Sequence, residues 1–217
     1  MAFTFIQGNS AESGTTVTLT GVTAGNLIVI WIKWEDGAGT ATVSDGTDSF
    51  TMATAGNSGS GPAGQFGYLL SSSSGDKTYT ITAPGSFQRF RVAEFSYSGT
   101  IVADAENIAL GTSSSPASGN IATTGTIELA LGGYGEYTAN ALSGMQINGQ
   151  AYDNVSGGSY TKMWNKSFSS TFTGQASATL TPSSEWVCSV ISFKESGGGL
   201  SIPIAMYHYQ HHTGSGV

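Results

Sequence analysis

Leu27-Ile28-Val29-Ile30-Trp31-Ile32 is an unbroken run of six apolar residues, four of them β-branched. Successive strand residues point to opposite faces, so a run with no polar position leaves neither face for water. It reads as a central strand covered on both sides. The neighbouring segments have a different pattern. Thr15-Thr16-Val17-Thr18-Leu19-Thr20 alternates Thr with an apolar residue, which fits a half-buried strand. Thr40-Ala41-Thr42-Val43-Ser44 runs into Asp45-Gly46, a turn signal. Further strand-like segments fall at 66–70, 77–82, 90–97, 126–131, 145–147, 160–164, 176–180 and 186–193, separated by Gly/Ser/Asn clusters. No window keeps apolar residues at i, i+3, i+4 and i+7 over a helical length. The expected fold is all-β, an antiparallel β-sandwich.

The chain also echoes itself. Val92-Ala93-Glu94-Phe95-Ser96-Tyr97-Ser98-Gly99 and Val190-Ile191-Ser192-Phe193-Lys194-Glu195-Ser196-Gly197 share V-x-x-F-x-x-S-G, and Pro84 and Pro182 precede them at the same distance. The buried run at 27–34 corresponds to 127–134. Each half supplies about four strands, which together make one jelly-roll-like sandwich of about eight core strands spanning 1–196. Two tandem immunoglobulin-like domains are the alternative. The segment joining the halves, 100–109, has strand-like apolar residues and is not a Pro-rich linker.

Gly197-Gly198-Gly199 marks a hinge, because glycine has no Cβ to restrict its backbone. Residues 197–217 read as this hinge followed by an extended docking arm. The arm has no Asp, Glu, Lys or Arg and holds all three histidines, His208, His211 and His212. Leu200, Ile202, Pro203, Ile204, Met206, Tyr207, His208 and Tyr209 are its expected partner-binding residues. Pro203 rules out a regular helix and suits an edge strand. So apolar a segment gains most by docking against its own body or a neighbouring subunit, adding a strand to an open sheet edge or filling a groove, with a disordered C-terminus as the other reading.

Charged residues make up 10% of the 217-residue chain, against about 25% in an ordinary domain. With 39% hydrophobic residues the chain is not a candidate for disorder. The net charge of −7 and the scattered seven Lys and Arg argue against nucleic acid and anionic membrane surfaces as partners. Cys188 is the single cysteine, so no intrachain disulfide can form, and its apolar setting predicts a buried, inert thiol. The N-terminus lacks a basic region and a long apolar core, which predicts synthesis in the cytoplasm without a signal peptide.

Sites for chemistry are few. A Ser-His-Asp triad needs a fixed histidine, and residues 1–196 have none. Glycoside hydrolysis needs two carboxylates facing one cleft. Glu35, Asp36, Glu94, Asp104, Glu106, Glu128, Glu136, Asp153 and Glu185 are available, but no spacing singles out a pair. Glu94 is expected to face solvent or to pair with Arg89 or Arg91. Asp45-Gly46-Thr47-Asp48 resembles a fragment of a calcium loop but lacks the full ligand pattern and reads as a β-turn. No catalytic residue, cofactor or metal site is expected. A carbohydrate site would use exposed aromatic faces, for which Trp34, Trp164, Tyr134 and Tyr137 are the candidates, with packing at a sandwich edge as the other reading of each.

The Ser/Thr/Gly-rich body, with Ala-Gly-Asn-Leu-Ile-Val-Ile-Trp-Ile-Lys-Trp-Glu at 24–35, Val-Ile-Ser-Phe-Lys-Glu-Ser-Gly-Gly-Gly at 190–199 and a short tail with Ile-Pro and H-x-x-H-H, resembles accessory virion proteins of tailed bacteriophages. These include capsid decoration (cement) proteins and related tail or fibre proteins, whose bodies are similar to carbohydrate-binding modules. The resemblance implies a non-enzymatic structural role on the virion surface, a major capsid or tail protein as partner, and a homo-oligomer, commonly a trimer. A carbohydrate-binding module recognising a host glycan is the alternative function.

Overall fold

The computed structural model describes residues 3–196, so the hinge and the docking arm lie outside the described residues. The chain is all-β, its antiparallel sheets packed as sandwiches. The first five-stranded sheet runs in the order β1 (Thr4–Ala11), β8 (Ser86–Ser96), β3 (Leu27–Glu35), β6 (Pro62–Leu69) and β5 (Thr51–Met52). A three-stranded sheet of β2 (Thr16–Val22), β7 (Gly75–Thr82) and β4 (Thr42–Ser44) covers one face of it. The second half repeats the plan. Its large sheet is β14 (Asn154–Gly157), β15 (Thr161–Phe168), β11 (Glu128–Glu136), β18 (Ser184–Glu195) and β9 (Ile101–Ser113). Its small sheet is β13 (Gln150–Ala151), β12 (Ala141–Ile147) and β17 (Ala176–Thr181), and β10 (Ile121–Ala122) pairs with β16 (Thr173–Gly174). Among the described residues no helix is long and apolar enough to cross a membrane.

The pairing is nested in both halves. β1 pairs with β8, β2 with β7 and β3 with β6, and a bridge between Ser44 and Ser49 lies near the tip of the roll. In the second half β9 pairs with β18 and β11 with β15. Residues 114–118 take the place of β2, through Ser118 N–H to Ala176 O (3.0 Å), Ala178 N–H to Pro116 O (3.1 Å) and Leu180 N–H to Ser114 O (2.9 Å). Each half is therefore a jelly roll of its own, a long hairpin folded over on itself. The expected all-β, antiparallel, jelly-roll-like sandwich is present, and its eight-strand plan is met in each half. β1 (TFIQGNSA) mixes polar and apolar residues too evenly to stand out by pattern, whereas β9 (Ile101–Ser113) falls on the joining segment whose apolar residues look strand-like. The register also refines the repeat. Leu27 lies opposite Phe95 and Leu129 opposite Phe193, so 129–136, not 127–134, is the counterpart of 27–34.

Three apolar layers result. Ile28, Ile30, Ile32 and Trp34 of β3 pack with Val17, Leu19, Tyr79 and Ile81 inside the first sandwich. Ala130 and Tyr134 of β11 pack with Trp164, Ile147, Leu180 and Cys188 inside the second. The other faces of the two large sheets meet each other: Leu27, Val29, Trp31 and Phe95 pack on Leu129, Leu131, Met163, Ile191 and Phe193. This accounts for the unbroken apolar run, since β3 is a middle layer covered on both sides, and every residue of β3 and of β11 is buried.

A large side chain meeting a missing one keys this seam. Trp31, fully buried, lies where Gly133 has no Cβ; one built there would come within 2.5 Å of Trp31 Cδ2. Trp31 Nε1–H donates to Tyr134 O (2.9 Å) and to Thr161 Oγ1 (3.0 Å), which ties the first sandwich to the backbone of the second. One step along, Gly135 leaves room for the Lys33 side chain. Beyond Lys33 the seam turns ionic.

Candidate binding groove at the ionic end of the seam

Strand alternation puts Lys33, Glu35, Arg89 and Arg91 on the same face as Trp31 and Phe95, towards the second sandwich. The buried Lys33 ammonium pairs with Glu35, whose carboxylate also lies 3.5 Å from Arg89 Nη1. Burial pulls the Lys33 amine down to about 8, against the opposing pull of Glu35. Arg91, fully buried, donates through Nη2 to Glu12 Oε1 (2.5 Å) and to Thr161 O (3.1 Å), and burial lowers its pKa as well. Arg89 Nη1 donates to Phe87 O (3.1 Å), and its guanidinium stacks 4.0 Å from the centre of the Tyr160 ring, a cation–π contact across the seam. Glu136, also buried, accepts from Asn140 N–H and Nδ2–H (both 3.0 Å), with its pKa raised by burial.

Two loops, 12–15 after β1 and 158–160 before β15, and the first residues of β8, 86–89, rise around this end. They enclose two adjoining clefts of about 390 and 260 Å³ that share Glu12 and Arg89. Ser13, Thr15, Ser86, Phe87 and Gln88 line the larger, and Gly158, Ser159 and Tyr160 the smaller. Glu12 stands between them with its side chain 50% exposed, whereas Arg89 is 12% exposed. Glu12 Oε2 is 3.9 Å from Arg89 Nε, an ion pair too long for a hydrogen bond.

Phe87 is the anomaly here. The β3–β8 register shifts between Lys33↔Arg89 and Glu35↔Ser86, so Phe87 and Gln88 together oppose Trp34: a β-bulge. Phe87 has φ +49°, a left-handed conformation that costs a bulky residue roughly 1–3 kcal/mol and that glycine adopts freely. The residue is 65% exposed, so burial does not offset that cost. In the second half the β11–β18 pairing runs without a shift as far as Glu136↔Trp186. Bulges re-aim side chains at functional edges, and this one turns an aromatic face into the groove.

The expected site residues fall elsewhere. Trp34 and Trp164 are core, their indole N–H groups donating to Gly37 O (2.8 Å) and Gln146 O (3.4 Å). Tyr134 is fully buried, and desolvation drives its pKa up. None of the three offers a face to a ligand, which corrects that expectation. The cause lies in strand parity, since Trp34 shares the face of Ile28, Ile30 and Ile32. Tyr137 is 42% exposed and donates to Asp36 Oδ2 (3.0 Å), bridging the seam. The arm residues Leu200, Ile202, Pro203, Ile204, Met206, Tyr207, His208 and Tyr209 lie outside the described residues. Of the groove residues Glu12, Phe87, Gln88, Arg89 and Tyr160, sequence reasoning singled out only Arg89, and only as a partner for Glu94.

Glu94 and Asp45 are each held separately. Glu94 is buried and accepts from Gln7 Nε2–H (2.6 Å), Thr23 N–H (2.9 Å) and Asn26 Nδ2–H (2.7 Å), so it neither faces solvent nor pairs with an arginine. Asp45 accepts from Thr47 N–H (2.9 Å), Thr47 Oγ1–H (3.0 Å) and Asp48 N–H (2.7 Å), while Lys77 Nζ sits 3.1 Å from Asp45 and 3.6 Å from Asp48. The Asp-Gly-Thr-Asp segment is thus a turn whose cation is a lysine. Asp104 and Glu128 do come together. Burial works to raise Asp104, but Lys194 at 2.6 Å and Thr124 hold it near 2. Burial and the adjoining Asp104 push Glu128 up to about 8. Among the described residues no group of three or more His, Cys, Asp and Glu is placed to hold a metal ion. No family model, curated protein or solved structure matches this chain.

Proposed function

We propose that this chain is a non-enzymatic structural protein of a tailed-phage virion, a decoration-type module that attaches to the particle surface through its sandwich body and the arm at 197–217. The observation that supports this most is how the seam is built. Two jelly rolls are keyed together by Trp31 in the space above Gly133, and the ionic groups beyond it are mostly buried in pairs. Such a block is rigid, and few charged groups in it are free for chemistry. Removing 197–217 should abolish attachment to particles while the body keeps its β-sheet circular dichroism. Undiminished attachment of the shortened chain would refute the arm's role, and turnover of any substrate would refute the non-enzymatic reading.

A second reading, a carbohydrate-binding module for a host glycan, is favoured by Phe87. A strained, exposed aromatic beside Glu12, Gln88 and several hydroxyls is the combination that stacks on a sugar's apolar face and bonds its hydroxyls. The two readings are compatible within one virion protein.

A further inference from the structure

The geometry points to the groove between Phe87 and Tyr160 as a site for an uncharged saccharide, one that excludes anionic sugars. This rests on the carbohydrate-binding reading and narrows it to a ligand class and a set of residues.

Charge makes the selection. Arg91 is fully buried and committed to Glu12 and Thr161 O. Arg89 is nearly so, held by Phe87 O, Glu35 and the Tyr160 ring. Lys162, the next cation along the wall, donates to Gly158 O (3.0 Å). The charge most open to a ligand is therefore the half-exposed carboxylate of Glu12. A uronate or sialate would meet that carboxylate, in a chain of net charge −7, and the one guanidinium on the cleft wall, Arg89, is only 12% exposed and already set against Glu35 and the Tyr160 ring. A neutral sugar meets an acceptor instead. Glu12 Oε1 is taken up by Arg91, but Oε2 has no hydrogen bond to Arg89, so its lone pairs are open to sugar hydroxyls.

Phe87 supplies the apolar contact, and its backbone shows that the contact is worth a cost in stability. The bulge accepts glycine better than phenylalanine, and the ring gains little from the protein itself. A site in which stability is given up locally for an exposed ring is one where binding supplies the return. The larger cleft, at about 390 Å³, is within the range of small-ligand sites, roughly 300–1,000 Å³, and the adjoining one extends it along the seam.

The test uses the full chain and its Phe87→Gly variant on a panel of immobilised neutral polysaccharides (glucans, mannans, galactans) and acidic ones (uronate- and sialate-bearing), with thermal unfolding in parallel. The expected result is binding to one or more neutral members, weakened at least tenfold in the variant, whose melting temperature equals or exceeds that of the unmodified chain. An undiminished melting temperature matters, because removing a ring with a purely structural role would lower it. Binding confined to acidic members would overturn the charge selection and leave the carbohydrate reading standing. Unchanged binding by Phe87→Gly would overturn the groove as the site. Failure to bind any member would overturn both.

Discussion

Replacing Trp31 with alanine tests the seam most directly. The indole is fully buried, packs at 4.8 Å centroid distance from Phe66, and makes two hydrogen bonds to the second sandwich. Truncating a buried Trp typically costs about 3–5 kcal/mol. The lost donor adds little, because Thr161 Oγ1–H still donates to Tyr134 O (2.6 Å). That loss is a large share of an ordinary domain's stability, about 5–15 kcal/mol. Gly133→Ala approaches the same contact from the other side. Its methyl would sit 2.5 Å from Trp31 Cδ2 and 2.9 Å from Phe66 Cζ, overpacking worth about 1–3 kcal/mol. The two changes are coupled, because the alanine methyl enters space that Trp31→Ala vacates. In guanidinium unfolding followed by circular dichroism, the double variant should be more stable than the sum of the single losses predicts, by about 0.5–3 kcal/mol. Additive losses, or a Trp31→Ala cost under about 1 kcal/mol, would show that the sandwiches are not keyed at this point.

Other expectations follow from the buried titrating groups. Glu128, near 8 in the folded chain against an ordinary value of 4.5, keeps its proton in the folded state where the unfolded chain has lost it. Its contribution is full below pH 4.5 and is lost as pH rises towards 8, with a slope of up to about 1.4 kcal/mol per pH unit; Glu128→Gln should flatten that part of the pH–stability curve, and an unchanged slope would refute the assignment. Lys33 acts in the opposite sense in a higher window. Its amine, lowered to about 8 by burial, sheds its proton before the unfolded chain does, so its penalty is relieved between pH 8 and 10.5, and Lys33→Met should remove that rise. Cys188 is buried with its thiol pKa pushed up, so a thiol reagent should label it only after denaturation; rapid labelling of the native chain would contradict its burial.

Much of the fold could be read in the primary structure because the signals are local. The six apolar residues at 27–32 require two-sided cover wherever they end up, and the V-x-x-F-x-x-S-G echo marks equivalent strands, β8 and β18. Trp34 could also have been placed, since it shares parity with Ile28 and Ile32. Phe87 gave no such signal: nothing in Ser-Phe-Gln-Arg announces a left-handed phenylalanine, because the bulge exists only against Trp34 on β3. The groove was out of reach for the same reason, being assembled from loops at 12–15 and 158–160 and the start of β8 at 86–89, which meet only when the sandwiches do.

Amino-acid order by itself determined that this chain is made of antiparallel strands, that one of them is a middle layer, and that two halves are alike. Alternation is written into each strand and needs no partner to be seen. Only the tertiary structure decided that each half closes its own roll, that Trp31 fills the space above Gly133, and that charges and an exposed ring gather at one end of the seam. Those outcomes depend on which faces meet. The pairing of faces is settled by steric fit and desolvation between residues about a hundred positions apart in the chain, which no local pattern encodes.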